Sequence, residues 1–453
     1  MAVFAAKQFR TRFSQSGLVE TYLSRVSLAR AIGLDRVDAK NFSSRLGAEA
    51  KLISEKILSG KFQFTKYKEK LISKGAGKFP RVLSIPTIRD RLVHRALCDY
   101  LFEVFPEAKP DLPQTKVDLI TAAIDSGAHK YFVKIDLKDF YPSIPHDRLL
   151  SRLRSRARLP QFVSLVGKAI RTPTVPESNT DVAHSPDRGV PQGLSISNVL
   201  AEIYMLGIDR KIRSVAPAYF RFVDDIVVLT DSEPEKLCRD ICDILRAAKL
   251  TPHRIGDAGS KTRVGELGKG FDFLGYSIRP KRISIREGSI RGFEGSLVGV
   301  FTEYKLRLRA AVTRADKEAY HRPFLWLLNL RITGCIFREK RYGWIFYFSQ
   351  INDLSVLRRI DNTINLLLKR FKVAIPPRPK RALKSFYEAK RVDKTAHLYI
   401  PNYDAMTPPK MRKFLMELGF KVDSLPDLEV LIAFNKVIRR ATRRLEEDIS
   451  HIS

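Results

Sequence analysis

Residues 219–230 read YFRFVDDIVVLT, two apolar runs on either side of the adjacent carboxylates of Asp224 and Asp225. Aromatic and β-branched residues flank the pair, so the segment is expected to form two short strands with a turn at the aspartates. Carboxylates in such a place are either solvated turn residues or part of a site that binds cations. Clustered like charges away from water are costly unless a cation joins them.

A second strand candidate, KYFVKIDL (130–137), ends on Asp136. Side by side in one sheet, the two strands would bring Asp136, Asp224 and Asp225 together. Mg²⁺ prefers hard oxygen ligands and shares its shell with substrate phosphates. Two such ions ~3.5–4 Å apart can activate an attacking hydroxyl and stabilise a leaving pyrophosphate.

The balance of charge points the same way. The chain carries 81 Lys and Arg against 49 Asp and Glu, a net charge of +32 over 453 residues. Such an excess predicts a polyanionic partner, nucleic acid first. The four cysteines form no disulfide framework, which suits a reducing compartment. Cys238 and Cys242 sit among Leu237, Ile241 and Leu245 and are expected on a buried helix face. No apolar run reaches the ~18 residues of a membrane span, and charges follow the opening AVFAA at once, so a cytoplasmic protein is expected.

Along the chain, residues 1 to about 70 show apolar residues at helical spacing. SKGAGKFPRVLSIP reads as a turn and a short strand, and IRDRLVHRALCDYLFEVF as a helix. PEAKPDLPQ (106–114) reads as a loop. SIPHDRLLSRLRSR and LSISNVLAEIYMLGIDRKIRSV read as helices separated by a polar, Pro-rich connection. SEPEKLCRDICDILRAAKL is an amphipathic helix with Ser232 as the expected N-cap and Pro234 in its first turn. LSVLRRIDNTINLLLKRF, with Leu354, Leu357, Ile364, Leu368 and Phe371 near a 3.6-residue period, is a packed helix.

The order KGAGKFPRVLSIPTIRDRL, VKIDLKDFYPSI, RGVPQGLSISNVLAEIYM, RFVDDIVVL, SKTRVG, GFDFLGYSI resembles the reverse transcriptases, over roughly residues 70–280. The wording DFYPSI looks more like retron and abortive-infection or defence-associated bacterial enzymes than group II intron enzymes. The resemblance implies an α+β right-hand polymerase. Residues 1–115 would be an N-terminal helical extension and fingers. Residues 116–280 would be the palm, an antiparallel sheet plus helices, with 150–190 returning to the fingers. Residues 281–453 would be a helical basic thumb and C-terminal RNA-binding region.

It also implies a site. Asp136, Asp224 and Asp225 would be catalytic and hold two Mg²⁺ ions, with Mn²⁺ as an alternative. Tyr141 would be a steric gate favouring dNTPs over NTPs, or a core tyrosine. Gln192 and Gly193 would line the nucleotide pocket, and Ser197 would be the small residue that follows. Lys74 and Arg81 would hold the triphosphate, or be a solvated basic loop. Lys261 would protonate pyrophosphate, or be a surface lysine. Phe273, Leu274, Gly275 and Tyr276 would form a primer-grip turn, or simply pack the palm edge. Phe222 replaces the tyrosine that usually precedes the acidic pair, which removes a hydroxyl and keeps the ring.

Residues 281–453 hold 35 Lys and Arg against 18 Asp and Glu, an excess of 17. This suits phosphate contact without sequence reading. RITGCIFREKRYGWIFYFSQI mixes Arg331, Arg338, Lys340 and Arg341 with Tyr342, Trp344, Phe346, Tyr347 and Phe348. The stretch either stacks on single-stranded RNA bases or forms a buried aromatic core.

The expected function is RNA-directed DNA synthesis from dNTPs on an associated structured non-coding RNA, yielding an RNA–DNA duplex, in bacterial antiphage defence. Alternatives are untemplated or protein-primed synthesis, an RNA-binding intron maturase, and an RNA-dependent RNA polymerase, which the bulk of Tyr141 disfavours. No membrane partner is expected, and a homo-oligomer is left open.

Overall fold

The computed structural model of the chain describes residues 2–73, 79–178, 185–257, 260–373, 377–391 and 399–450. It divides into two compact units. The first comprises residues 1–111 and 129–265, the second residues 112–128 and 266–453. Both mix helices and sheets, as an α+β chain should.

The first unit opens with α1 (Ala2–Arg12), α2 (Gln15–Thr21), α3 (Ala39–Ser43) and α4 (Leu46–Leu58). α1, α2 and α3 pack on α5 (Ile88–Val104), whose Leu92, Val93, Ala96, Leu97, Tyr100 and Leu101 are wholly buried. The hydroxyl of Thr87 caps α5 by accepting from the amide of Asp90. A three-stranded sheet has β1 (Tyr67–Ile72) at its centre. β2 (Arg81–Ile85) runs antiparallel to it on one side, and β5 (Thr174–Val175) parallel on the other.

The second sheet runs β6-β7-β3-β9, built from β3 (Tyr131–Ile135), β6 (Tyr219–Phe222), β7 (Asp225–Thr230) and β9 (Arg263–Glu266). β6 and β7 form the hairpin expected around the acidic pair. β3 lies antiparallel to β7 with Ile135 opposite Ile226. β4 (Leu137–Lys138) pairs with β8 (Thr251–Pro252). Helices α7 (Phe140–Ser143), α8 (His146–Arg156), α9 (Pro160–Arg171), α10 (Ser197–Val215) and α11 (Pro234–Ala247) complete the unit. Cys238 and Cys242 face inward from α11, as expected. Ser232 is not the cap of α11. Glu233 occupies that position without a side-chain bond, and the Ser232 amide instead donates to the Thr230 hydroxyl.

In the second unit, α6 (Pro113–Asp125) buries Val117, Ile120 and Ile124. Its proline sits in the first helical turn, where a missing N–H costs nothing, so the loop expected over 106–114 ends earlier. β10 (Phe271–Phe273), β11 (Tyr276–Arg279) and β12 (Arg282–Ile285) form an antiparallel meander. Helices α12 (Glu287–Ala310), α13 (Arg314–Ala319) and α14 (His321–Thr333) follow, then the hairpin β13 (Cys335–Phe337) and β14 (Lys340–Tyr342). The last helices are α15 (Trp344–Tyr347), α16 (Ser355–Arg370), α17 (Ala382–Ala389), α18 (Pro408–Glu417) and α19 (Asp427–Ser450). Trp344, Phe346 and Phe348 are buried, and Trp344 stacks on Phe293 at 4.5 Å between ring centroids. These rings form core, and base stacking by them is not what the fold presents. Among the described residues no helix is long and apolar enough to cross a membrane.

Candidate active site

The hairpin β6–β7 turns through Val223, which holds φ at 57°. A β-branched residue reaches that left-handed region only against steric resistance. A buried guanidinium secures the turn. Arg221 donates from Nε and Nη2 to Asp209 at 2.9 and 2.8 Å, and from Nη1 and Nη2 to Glu202 at 3.0 and 2.7 Å. Nη1 also donates to the carbonyl of Val223 at 2.9 Å. All five of its N–H groups are thereby used. Glu202 and Asp209 lie seven residues apart on one face of α10, and the Tyr219 hydroxyl donates to Asp209 at 2.8 Å.

One step beyond the Ile135–Ile226 pair, Asp136 follows the end of β3 and Asp225 begins β7. The strands meet as expected. The amide of Asp136 donates to the Thr262 hydroxyl at 3.0 Å, and its carbonyl accepts from the His253 amide at 2.9 Å. The His253 ring lies 3.7 Å from the Asp136 carboxylate. Lys134, buried two residues earlier, reaches Asp225 at 3.1 Å.

Burial raises the Asp224 carboxyl above its usual range, and the charge of Asp136 adds to the rise, while Lys261 and Arg81 oppose it. Asp225 is raised by burial and by Asp224, against the pull of Lys134 and Lys261. Two carboxylates that disfavour each other's charge, flanked by two exposed cations, make a place where a divalent ion relieves repulsion. Among the described residues no three His, Cys, Asp or Glu side chains form a metal cage by themselves. Mg²⁺ sites of the phosphate-sharing kind do not need one, because one or two carboxylates suffice and substrate oxygens complete the shell. The donor set fits such an ion.

Tyr141 lies beside this cluster. Its hydroxyl donates to Asn198 at 3.3 Å, and burial, helped by Asp224 and Glu202, pushes its pKa up to about 12. The amide of Val190 donates to the carbonyl of Tyr141 at 2.9 Å, which ties the loop carrying Gln192 and Gly193 to the segment after Asp136. The carbonyl of Gln192 then accepts from the Ser84 amide of β2 at 2.7 Å. Gly193 has φ 101°, and a side chain there would approach the Ser84 carbonyl to 3.2 Å, so only glycine suits it. Ser197 is buried and donates to the Pro191 carbonyl, which closes this turn onto α10.

Asp136, Tyr141, Gln192, Gly193, Asp224, Asp225 and Lys261 thus assemble in the first unit together with Arg81. Lys74 lies outside the described residues. Phe273, Leu274, Gly275 and Tyr276 belong to the second unit. Leu274 and Gly275 form its β10–β11 turn at φ 50° and 79°, and the Phe273, Leu274 and Tyr276 side chains are buried. A contact made by this turn would therefore fall to its backbone. Lys134, Glu202, Asp209, Arg221 and His253 were not marked by the sequence. The one signal was the seven-residue spacing of Glu202 and Asp209.

Comparison with known proteins follows the same residues. The profile of a family described as "Reverse transcriptase (RNA-dependent DNA polymerase)" matches residues 72–278. Protein YkfC of Escherichia coli K12 is 24% identical over 344 residues, which are 63% of this chain and 87% of YkfC. The group II intron-encoded protein LtrA of Lactococcus lactis subsp. cremoris is 24% identical over 213 residues, covering 45% of this chain and 33% of LtrA. Among solved structures, telomerase from Candida albicans aligns over 89% of this chain and 66% of its own, at 14% identity and a TM-score of 0.42.

Proposed function

We propose that residues 72–278, which the reverse transcriptase profile matches, form the catalytic domain of a right-hand polymerase and that the protein copies an associated structured non-coding RNA into DNA. The observation that carries the reading is the meeting of Asp136 with the Asp224–Asp225 turn beside Arg81 and Lys261.

Asp136, Asp224 and Asp225 would hold two divalent ions, Mg²⁺ or Mn²⁺. When bound, these supply charge that neutralises the triphosphate and favours the ionised primer hydroxyl. The residues of the chain have separate tasks. Arg81 draws the phosphates to the site, with Lys74 as a second cation. Lys261 hands a proton to the departing pyrophosphate. Tyr141, braced by Asn198, would clash with a ribose 2′-hydroxyl and so favour dNTPs. The Gln192–Gly193 backbone, fixed against Ser84, forms one wall of the nucleotide pocket. The β10–β11 turn would support the primer strand by its backbone. Residues 1–115, 116–280 and 281–453 would act as fingers, palm and thumb. The RNA–DNA duplex would lie against basic phosphate-contacting surfaces. The wording DFYPSI supports a place in antiphage defence within the bacterial cytoplasm.

The test is DNA synthesis by protein co-expressed with its flanking genomic sequence, given Mg²⁺ and labelled dNTPs. Asp224→Ala/Asp225→Ala protein is the control. Product that maps to a bound RNA and vanishes in the control is expected. Product that matches no RNA, or stays attached to protein, would replace this reading with untemplated or protein-primed synthesis. The likeness to LtrA favours one further reading, RNA folding as an intron maturase. Specific RNA bound by both proteins, with no DNA from either, would select it.

A further inference from the structure

A groove of about 900 Å³ lies in the first unit, between α8 and α9. Four cations line it, Arg154 and Arg158 from α8 and the turn after it, and Lys168 and Arg171 from α9. Among the described residues no acidic side chain does. Leu150, Leu159, Pro160 and Val163 supply apolar wall. This is not the catalytic site, and none of the residues discussed above is required to explain it.

Three features mark the groove as built. The first is the division of α9 into two faces. Phe162, Leu165, Val166, Ala169 and Ile170 turn into the core. Ser164, Gly167, Lys168 and Arg171 turn toward the groove at spacings of three and four. The second is Gly167 itself. Glycine inside a helix costs about 1 kcal/mol relative to alanine, so its presence calls for a reason. A side chain there would come within 2.9 Å of the Arg171 guanidinium and 3.7 Å of Leu150. The missing side chain keeps the floor open and Arg171 in place. The third is the rim, where Lys168 donates at 2.9 Å to both the Gly60 and Phe62 carbonyls and so fixes the Gln63 edge.

The groove also leads somewhere. Its Arg171–Pro173 end runs directly into β5, which pairs with β1 in the sheet that carries Arg81. The hydroxyls of Thr174 on β5 and Ser84 on β2 lie 2.7 Å apart, and Ser84 holds the Gln192 turn.

We propose that the α8–α9 groove binds a single-stranded segment of RNA on its way to the nucleotide-binding turn. The arginines take the phosphates, and Leu159, Pro160 and Val163 take sugar and base faces. Forked guanidinium groups suit phosphate oxygens, and sequence-tolerant binding of single strands combines such a basic track with apolar surface. The proposal deepens the polymerase reading by giving its RNA a path, and it rests on that reading only for the identity of the strand.

The test uses the full chain and a labelled single-stranded oligoribonucleotide of mixed sequence, titrated at several salt concentrations. DNA synthesis on a primed RNA is measured in parallel. Arg154→Gln/Arg158→Gln/Arg171→Gln is expected to weaken binding at least tenfold. It should also flatten the slope of log K against log salt by about 2, since each lost contact to a single strand is worth ~0.7. Gly167→Met keeps every charge and fills the floor, and it should weaken binding as well. Circular dichroism melts of both variants certify the fold. Unchanged affinity in either variant, or binding lost only with charge and not with Gly167→Met, overturns the groove. So does a wild-type chain that prefers the same strand as DNA. If wild type makes no DNA while both variants still lose RNA, the groove stands and the polymerase reading falls.

Discussion

Val223 pays a steric cost of about 1–2 kcal/mol for its left-handed backbone, and Arg221 holds it there through the Val223 carbonyl. The Arg221→Lys variant keeps the charge and loses the fork, so it cannot serve Glu202, Asp209 and Val223 together. Breaking a buried charged network costs about 3–5 kcal/mol. We expect Arg221→Lys to lower kcat at least tenfold with little change in the KM for dNTP. Adding Val223→Gly, which removes the steric cost, should recover part of kcat and only a minor part of the stability loss. Steady-state kinetics of the single and double variants check this, and no recovery would mean that Arg221 serves only the core. The carboxylates allow a second prediction. Asp224 has its folded-state pKa raised by burial and by Asp136, so the folded chain holds that proton more tightly than the unfolded chain. Its ionisation therefore costs stability above the raised pKa, and the cost fades as pH falls to the ordinary carboxylate range near ~4. In metal-free buffer at pH 7 the Asp224→Asn variant should melt about 2–4 °C higher, a shift on the order of 1 kcal/mol. That gain should shrink toward pH 4, and polymerase activity should be absent throughout. Thermal melts against pH decide it. The acidic pair was legible in the sequence because charge between two apolar runs has few uses. Arg221, Glu202 and Asp209 were not, because each alone looks like the polar residue of an amphipathic element and only the fold makes them one group.

α10 joins the parts of the site that differ in task. Its start is fastened to the Gln192–Gly193 turn through Ser197, its first turn braces Tyr141 through Asn198, and its middle grips the acidic turn through Glu202 and Asp209. Its length and packed face follow from helical spacing, and so do those of α16, where Leu357 and Ile364 are buried with Ile360. The stretch 331–348 was ambiguous for a physical reason. Basic residues close to aromatic ones suit an RNA-stacking surface and equally a hairpin whose rings turn inward, and only the β13–β14 pairing followed by α15 decides which way they face. Trp344 is the clearest instance. We expect Trp344→Ala to cost about 3–5 kcal/mol, read by urea denaturation, with RNA affinity of the still-folded protein unchanged. Weaker RNA binding without a stability loss would return the stretch to the RNA.

The two compact units do not follow the order of the chain: α6 and the β10–β12 meander group with the C-terminal half. The contacts responsible span too much chain for any local pattern to announce them. Gln114 donates to the Phe346 carbonyl across 232 residues at 3.2 Å, and the Tyr276 ring lies 4.9 Å from that of Phe348. The Tyr276 hydroxyl donates to the Tyr347 carbonyl, and the Tyr347 hydroxyl donates back to Leu274. A fragment cut at 281 loses all of these. It also strands β12 without β11 and uncovers surface that Val117, Ile120 and Ile124 now help to bury. We therefore expect residues 281–453 alone to melt without a cooperative transition. Residues 266–453 with residues 112–128 joined through a flexible Gly/Ser linker should melt cooperatively. Circular dichroism melts of the two fragments make the comparison. A sharp transition in the shorter one would mean that the helical C-terminal half folds without α6 and the meander, and that the chain divides near 280 after all.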